Sequence, residues 1–95
     1  MKEQNYIVRA DRAGVLFGKI KERNGSEVTM TDVRRIWYWS GAASLSQLAV
    51  EGTKKPQNCK FTIYVPEMII LGVIEIIPCT AEAEVSIKEV PEWRV

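Results

Sequence analysis

Asn24-Gly25 restricts the fold of this chain more than any other pair of residues. Both central residues of a type I′ turn need positive φ, and Asn-Gly supplies this with least strain. Runs of β-forming residues flank the pair, Val15–Lys21 before it and Val28–Thr31 after it. The pattern predicts a hairpin over residues 15–31.

The neighbouring segments extend that sheet. Tyr6-Ile7-Val8-Arg9 reads as a first strand, with Asp11–Gly14 as the turn into the hairpin. Arg35-Ile36-Trp37-Tyr38-Trp39 reads as a fourth strand, separate from 28–31. Lys60–Val65 alternates and predicts another, with Pro66 closing it or marking an edge. The β-branched stretch Met68–Ile77 reads as buried, with a strand near 73–77 that Pro78 ends.

Helix signals are fewer. Ser40-Gly41 breaks the fourth strand, and Ser44-x-x-Gln47 has the form of a capping box for a short helix over 44–51, stopped by Gly52. Thr80 caps a second helix over 80–88, where Glu82 and Glu84 favour the N-terminal dipole. Trp93 is expected to dock on its own domain or on a neighbouring subunit. The fold class is therefore α+β: a mostly antiparallel sheet of about 5–6 strands with these two helices. Residues 1–95 form a single domain.

Composition narrows the chemistry. The chain has no histidine, which removes Ser-His and Cys-His nucleophile systems. It has two cysteines, 20 residues apart, too few for a usual structural zinc site. With no signal peptide read at the start, Cys59 and Cys79 are expected to be reduced in a cytosolic protein. No P-loop, GxGxxG or zinc pattern occurs, so no metal, cofactor or enzymatic activity is expected. The apolar run around Gly72 is too broken to span a bilayer. A net charge of +1 argues against a general nucleic-acid binder, and no specific nucleic acid is expected as a partner. The charge is unevenly spread, however. Residues 1–65 carry 11 Lys/Arg against 6 Asp/Glu, and residues 66–95 carry 2 against 6.

Arg34-Arg35-Ile36-Trp37-Tyr38-Trp39-Ser40-Gly41 concentrates the binding chemistry. Guanidinium groups clamp phosphate bidentately, and indole or phenol rings stack on bases. Ser40, Gly41, Ser44 and Gln47 add polar groups at the helix start, where backbone N–H groups attract anions. Arg9, Arg12 and Lys54 are further cationic candidates. Strand alternation places Arg35, Trp37 and Trp39 on one face and Arg34, Ile36 and Tyr38 on the other. Either face can be core. Glu75, inside an apolar strand, is expected to face solvent or pair with an arginine.

The run Arg34–Gly52, with Ala13-Gly14-Val15 and Ile74–Thr80, resembles a group of small, functionally uncharacterised proteins of tailed bacteriophages and prophages. The resemblance covers roughly residues 6–90 and carries no catalytic residues across. It implies a phage accessory protein acting in the cytoplasm of the bacterial host. Such proteins often act by binding. By class analogy this chain is similar to oligomeric sponges that sequester nucleotide immune signals. The expected partner is thus a nucleotide-like anionic small molecule held by a homo-oligomer, with no membrane involved. A protein-binding inhibitor of a host defence enzyme and a structural or regulatory phage protein are the rival expectations.

Overall fold

The computed structural model describes residues 4–95. The strands are β1 (Tyr6–Ala10), β2 (Gly14–Asn24), β3 (Glu27–Tyr38), β4 (Lys60–Phe61), β5 (Val65–Ile70) and β6 (Val73–Pro78). The helices are α1 (Leu45–Glu51) and α2 (Ala81–Lys88). All strand pairings are antiparallel, in the order β4-β3-β2-β1-β6. β5 shares the outer edge of β3 with β4, pairing Val28 with Ile70 and Val33 with Val65. The result is an α+β fold with a six-stranded antiparallel sheet.

The connection between β5 and β6 dictates the shape of the sheet. In a flat sheet the four strand steps separating them would span about 19 Å. The chain from Ile70 to Val73 reaches about 11 Å at most. The sheet must therefore coil until its outer strands approach. Two backbone hydrogen bonds hold the junction: Asp11 N–H to Gly72 O and Val73 N–H to Ser26 O, each 2.9 Å.

Coiling creates two cores. On one face Ile7, Phe17, Ile36 and Phe61 pack against Leu48 and Ala49 of α1 and Ala83 and Ile87 of α2. On the other, Val8, Leu16, Val28, Met30, Val33 and Ile70 are buried with no helix over them. That face is covered by the sheet itself.

Two sequence expectations need correction, and a third resolves between its alternatives. Residues 28–31 and 35–39 are not two strands: both belong to β3, which ends at Tyr38. A bulge joins them. Pairing with β2 shifts by one residue between Lys19↔Thr31 and Phe17↔Arg34, and Asp32 takes φ +47°. Gly18 lies opposite, where a Cβ would sit 2.9 Å from Asp32 O. The bulge reverses side-chain parity, so Met30 and Val33 both enter the second core. Second, the strand expected over 60–65 stops at Phe61, because Thr62 turns its hydroxyl to the Arg35 N–H (2.8 Å). Third, of its two expected roles Pro66 takes the second and marks an edge. It lies inside edge strand β5, between the Glu67↔Thr31 and Val65↔Val33 pairs and opposite the bulge, where a missing N–H leaves no ladder bond unmade.

Both caps form as their residues imply. Ser44 Oγ accepts from Gln47 N–H (3.1 Å), and Thr80 Oγ1 accepts from Ala83 N–H (3.0 Å). Thr80 also donates to Val50 O (2.6 Å), tying α2 to α1. Trp93 docks on its own chain: its N–H donates to Phe61 O at 2.8 Å, and its ring stacks on Trp37 at 5.9 Å. Among the described residues, no helix is long and apolar enough to cross a membrane.

Candidate functional site

A groove of about 570 Å³ opens between the β1–β2 turn and β5. Asp11, Arg12 and Ala13 form one side, Met68–Gly72 the other, and Arg35 lies between them. Its floor is the self-covered core, to which Ala13, Met68 and Ile70 contribute. Ile69 and Leu71 project from its rim, 60% and 64% exposed.

Arg35 reaches the groove because the bulge at Asp32 shifts the parity of β3. The side chain then follows Val33 onto the second face, opposite Leu16. Its Nη2 lies 3.9 Å from Met68 Sδ, a weak acceptor, and its Nε is buried with no hydrogen-bond partner. Buried donors are nearly always satisfied, so an unmet guanidinium N–H on a residue that lines an open groove marks a place for an acceptor. Arg12, exposed on the turn across the groove, supplies a second cation.

Arg34 was expected to share in phosphate binding, and the structure corrects that. It is fully buried on the helix-covered face. Nε donates to Thr62 O (3.0 Å), Nη2 to Phe61 O (3.1 Å), and Nη1 to both Ile87 O and Val90 O (3.1 Å each). The guanidinium is sandwiched by Tyr64 at 4.8 Å and Phe61 at 5.4 Å. It satisfies carbonyls left over at the C-terminal end of α2, where a cation also complements the helix dipole. Burial pulls its pKa down, opposed by neighbouring Tyr64 and Glu92.

The other candidates divide between two places. Arg9 forms an exposed ion pair with Glu75 across β1 and β6 (3.1 Å), which also accounts for that carboxylate. Trp37 and Tyr38 are exposed at the end of β3, 63% and 53%. Trp39 leaves the alternation once β3 ends: it packs on the helix-side core and donates Nε1–H to Ala42 O (3.2 Å). It is not on the Arg35 face.

Ser40, Gly41, Ser44 and Gln47 spend their polar groups internally. Ser40 O accepts from the Thr53 hydroxyl, and Gly41 O from Lys54 N–H (3.2 Å). Gln47 Oε1 takes the Ala43 N–H (2.7 Å), one residue earlier than a capping box requires. The start of α1 is thus capped by its own side chains. Lys54 is an exposed loop residue beside Gly41.

Asp11, Met68, Ile69 and Leu71 line the groove but were not among the expected site residues. The apolar stretch around Gly72 suggests burial from its composition, yet alternation in an edge strand turns every second residue outward, and Ile69 and Leu71 are exposed. Among the described residues, no group of three His, Cys, Asp or Glu side chains is placed to hold a metal ion. Cys59 and Cys79 are both buried and unpaired. Burial and nearby Glu84 push the Cys79 thiol up to about 12.

A family model described as a domain of unknown function, DUF6948, matches residues 3–87. The chain belongs to that family. Its match spans the whole sheet, the groove and nearly all of α2, and it stops before the Trp93 tail. No curated protein and no solved structure matches the chain.

Proposed function

We propose that this DUF6948 domain is a non-catalytic binding protein that captures a nucleotide-like anionic small molecule in the Arg12–Arg35 groove. The observation that carries this reading is the buried Nε of Arg35, which has no hydrogen-bond partner among the described residues and belongs to a side chain that lines an open groove. The groove is within the usual size range for small-molecule sites. Its two guanidinium groups fit phosphate oxygens, and its aliphatic walls fit a ribose or base edge. Arg12 and Arg35 both line the groove, with Asp11 the one carboxylate in the lining among the described residues. This arrangement favours holding an anion over transforming it.

On this reading the chain is a phage or prophage accessory protein. It acts as an anti-defence sponge in the cytoplasm of the bacterial host, sequestering a nucleotide-derived immune signal. The exposed Ile69 and Leu71 at the groove rim support closure by a second subunit of a homo-oligomer.

Calorimetry against cyclic dinucleotides and ADP-ribose derivatives tests the proposal. At least one member should bind with Kd below about 10 µM, near −7 kcal/mol. Arg35→Ala should weaken that binding at least tenfold, roughly the worth of one charge-assisted hydrogen bond. If no member of the panel reaches that affinity, the nucleotide reading fails. Recovery of a stoichiometric host protein, with no small molecule released on denaturation, would favour the inhibitor reading instead.

A further inference from the structure

The end of β3 carries a second surface, separate from the groove. Trp37 and Trp93 stack with an interplanar angle of 23°, yet both remain largely in solvent, 63% and 46% exposed. The Lys60 ammonium lies 5.5 Å from the Trp93 ring centre. Tyr38, also exposed, is paired in register with Lys60. Lys54 N–H bonds Gly41 O, which brings the exposed Lys54-Lys55 pair to the same end of the strand. The one nearby acidic side chain on the tail, Glu92, is already paired with Arg94 at 3.0 Å.

The three exposed rings stand beside the Lys60 ammonium, and the loop that carries Lys54 and Lys55 is bonded to Gly41, three residues past Tyr38. The net charge of +1 hides an uneven spread of cations, with 11 Lys/Arg in residues 1–65 and 2 in residues 66–95. Aromatic faces beside lysines match the chemistry of a single-stranded nucleic acid, in which every base offers a π-face and every linkage a charge.

We propose that Trp37, Trp93 and Tyr38, with Lys54, Lys55 and Lys60, form a stacking platform for single-stranded nucleic acid without sequence preference. One base stacks on Trp37. The lysines meet the flanking phosphates. A duplex, whose bases are already stacked on one another, offers no free face to the platform.

Titration of tryptophan fluorescence with an oligo-dT of about 12 nucleotides, at low salt, tests this. The strand should quench the emission saturably. With three lysines on phosphates, log K should fall against log salt with a slope of about −2. Trp37→Ala should weaken binding about tenfold, within the range for losing one stacked base. Trp37→Phe should retain most of it, and Lys54→Glu with Lys55→Glu should weaken it without touching the aromatics. Arg35→Ala should leave strand binding unchanged, so the platform and the groove succeed or fail separately. No quenching up to about 100 µM strand, near −5.5 kcal/mol, overturns the proposal. Equal affinity for a duplex of the same length also overturns it. So does a host protein whose binding Trp37→Ala abolishes while the strand fails to compete.

Discussion

Arg34 and Arg35 are adjacent in sequence, and their guanidinium groups lie on opposite faces of β3 in opposite states. Arg34 is fully buried, with four hydrogen bonds to backbone carbonyls. Arg35 leaves its Nε buried and unpartnered beside a groove. One completes the fold; the other is available to a ligand. Substitutions at the two positions should therefore separate stability from binding.

Arg34→Ala should cost at least about 3 kcal/mol, because it removes the Arg34 donors from Thr62 O and Val90 O and opens a cavity where a fully buried side chain stood. Arg34→Lys should recover only part of this, since one ammonium cannot span acceptors on Phe61, Thr62, Ile87 and Val90. Urea unfolding followed by circular dichroism measures both. A loss no larger than that of a surface substitution would show that Arg34 is not the clamp described.

Arg35→Ala should change stability by about 0.5 kcal/mol or less, the usual scale for a substitution that breaks no buried network. The same variant should lose the groove ligand. Thermal melts with and without ligand read both quantities. A large fall in the melting temperature without ligand would mean that Arg35 supports the fold instead.

Gly18→Ala should destabilise by about 2 kcal/mol, through overpacking against the bulge. The added Cβ would lie 2.9 Å from both Asp32 O and Val33 Cα, which are backbone atoms that cannot swing aside. The urea midpoint should drop at constant slope. If the bulge slips instead, Arg35 leaves the groove and ligand affinity falls with stability.

Stability should decline as pH rises above about 9. Burial raises the Cys79 thiol from 9.0 to about 12, so the unfolded chain loses this proton first. An unfolded state that binds fewer protons gains relative to the native one as pH climbs, which lowers unfolding free energy. Tyr64, raised from 10.0 chiefly by its burial, acts in the same direction at higher pH. Urea midpoints at neutral pH and near the upper end of this window measure the slope. Cys79→Ala should flatten its lower part, and an unchanged slope in that variant would refute the assignment.

Local chemistry in the sequence determined the elements that local chemistry controls. Asn24-Gly25 marked the β2–β3 hairpin, but the turn sits one residue later than expected: Asn24 is in β2, paired with Glu27, and the loop is Gly25-Ser26, where Gly25 supplies the positive φ (+60°) of a type II′ pattern instead of the expected type I′. Ser44 and Thr80 specified both helix starts because a hydroxyl satisfies an N–H three residues on. The α+β class followed from these signals together. Alternation also put Arg34 and Arg35 on opposite faces, but it carried no information about which face would be covered.

Tertiary structure decided that. The carbonyls that occupy Arg34 Nη1 lie 53 and 56 residues away, at the end of α2. The Arg35 groove exists only because the short β5–β6 connection forces the sheet to coil. The parity of β3 depends on a bulge that spans Asp32 and Gly18, two residues on different strands. A cap is a contact between near neighbours and is written in a few adjacent letters. A guanidinium clamp, a coiled sheet and a bulge are agreements between distant segments, and only packing brings them together.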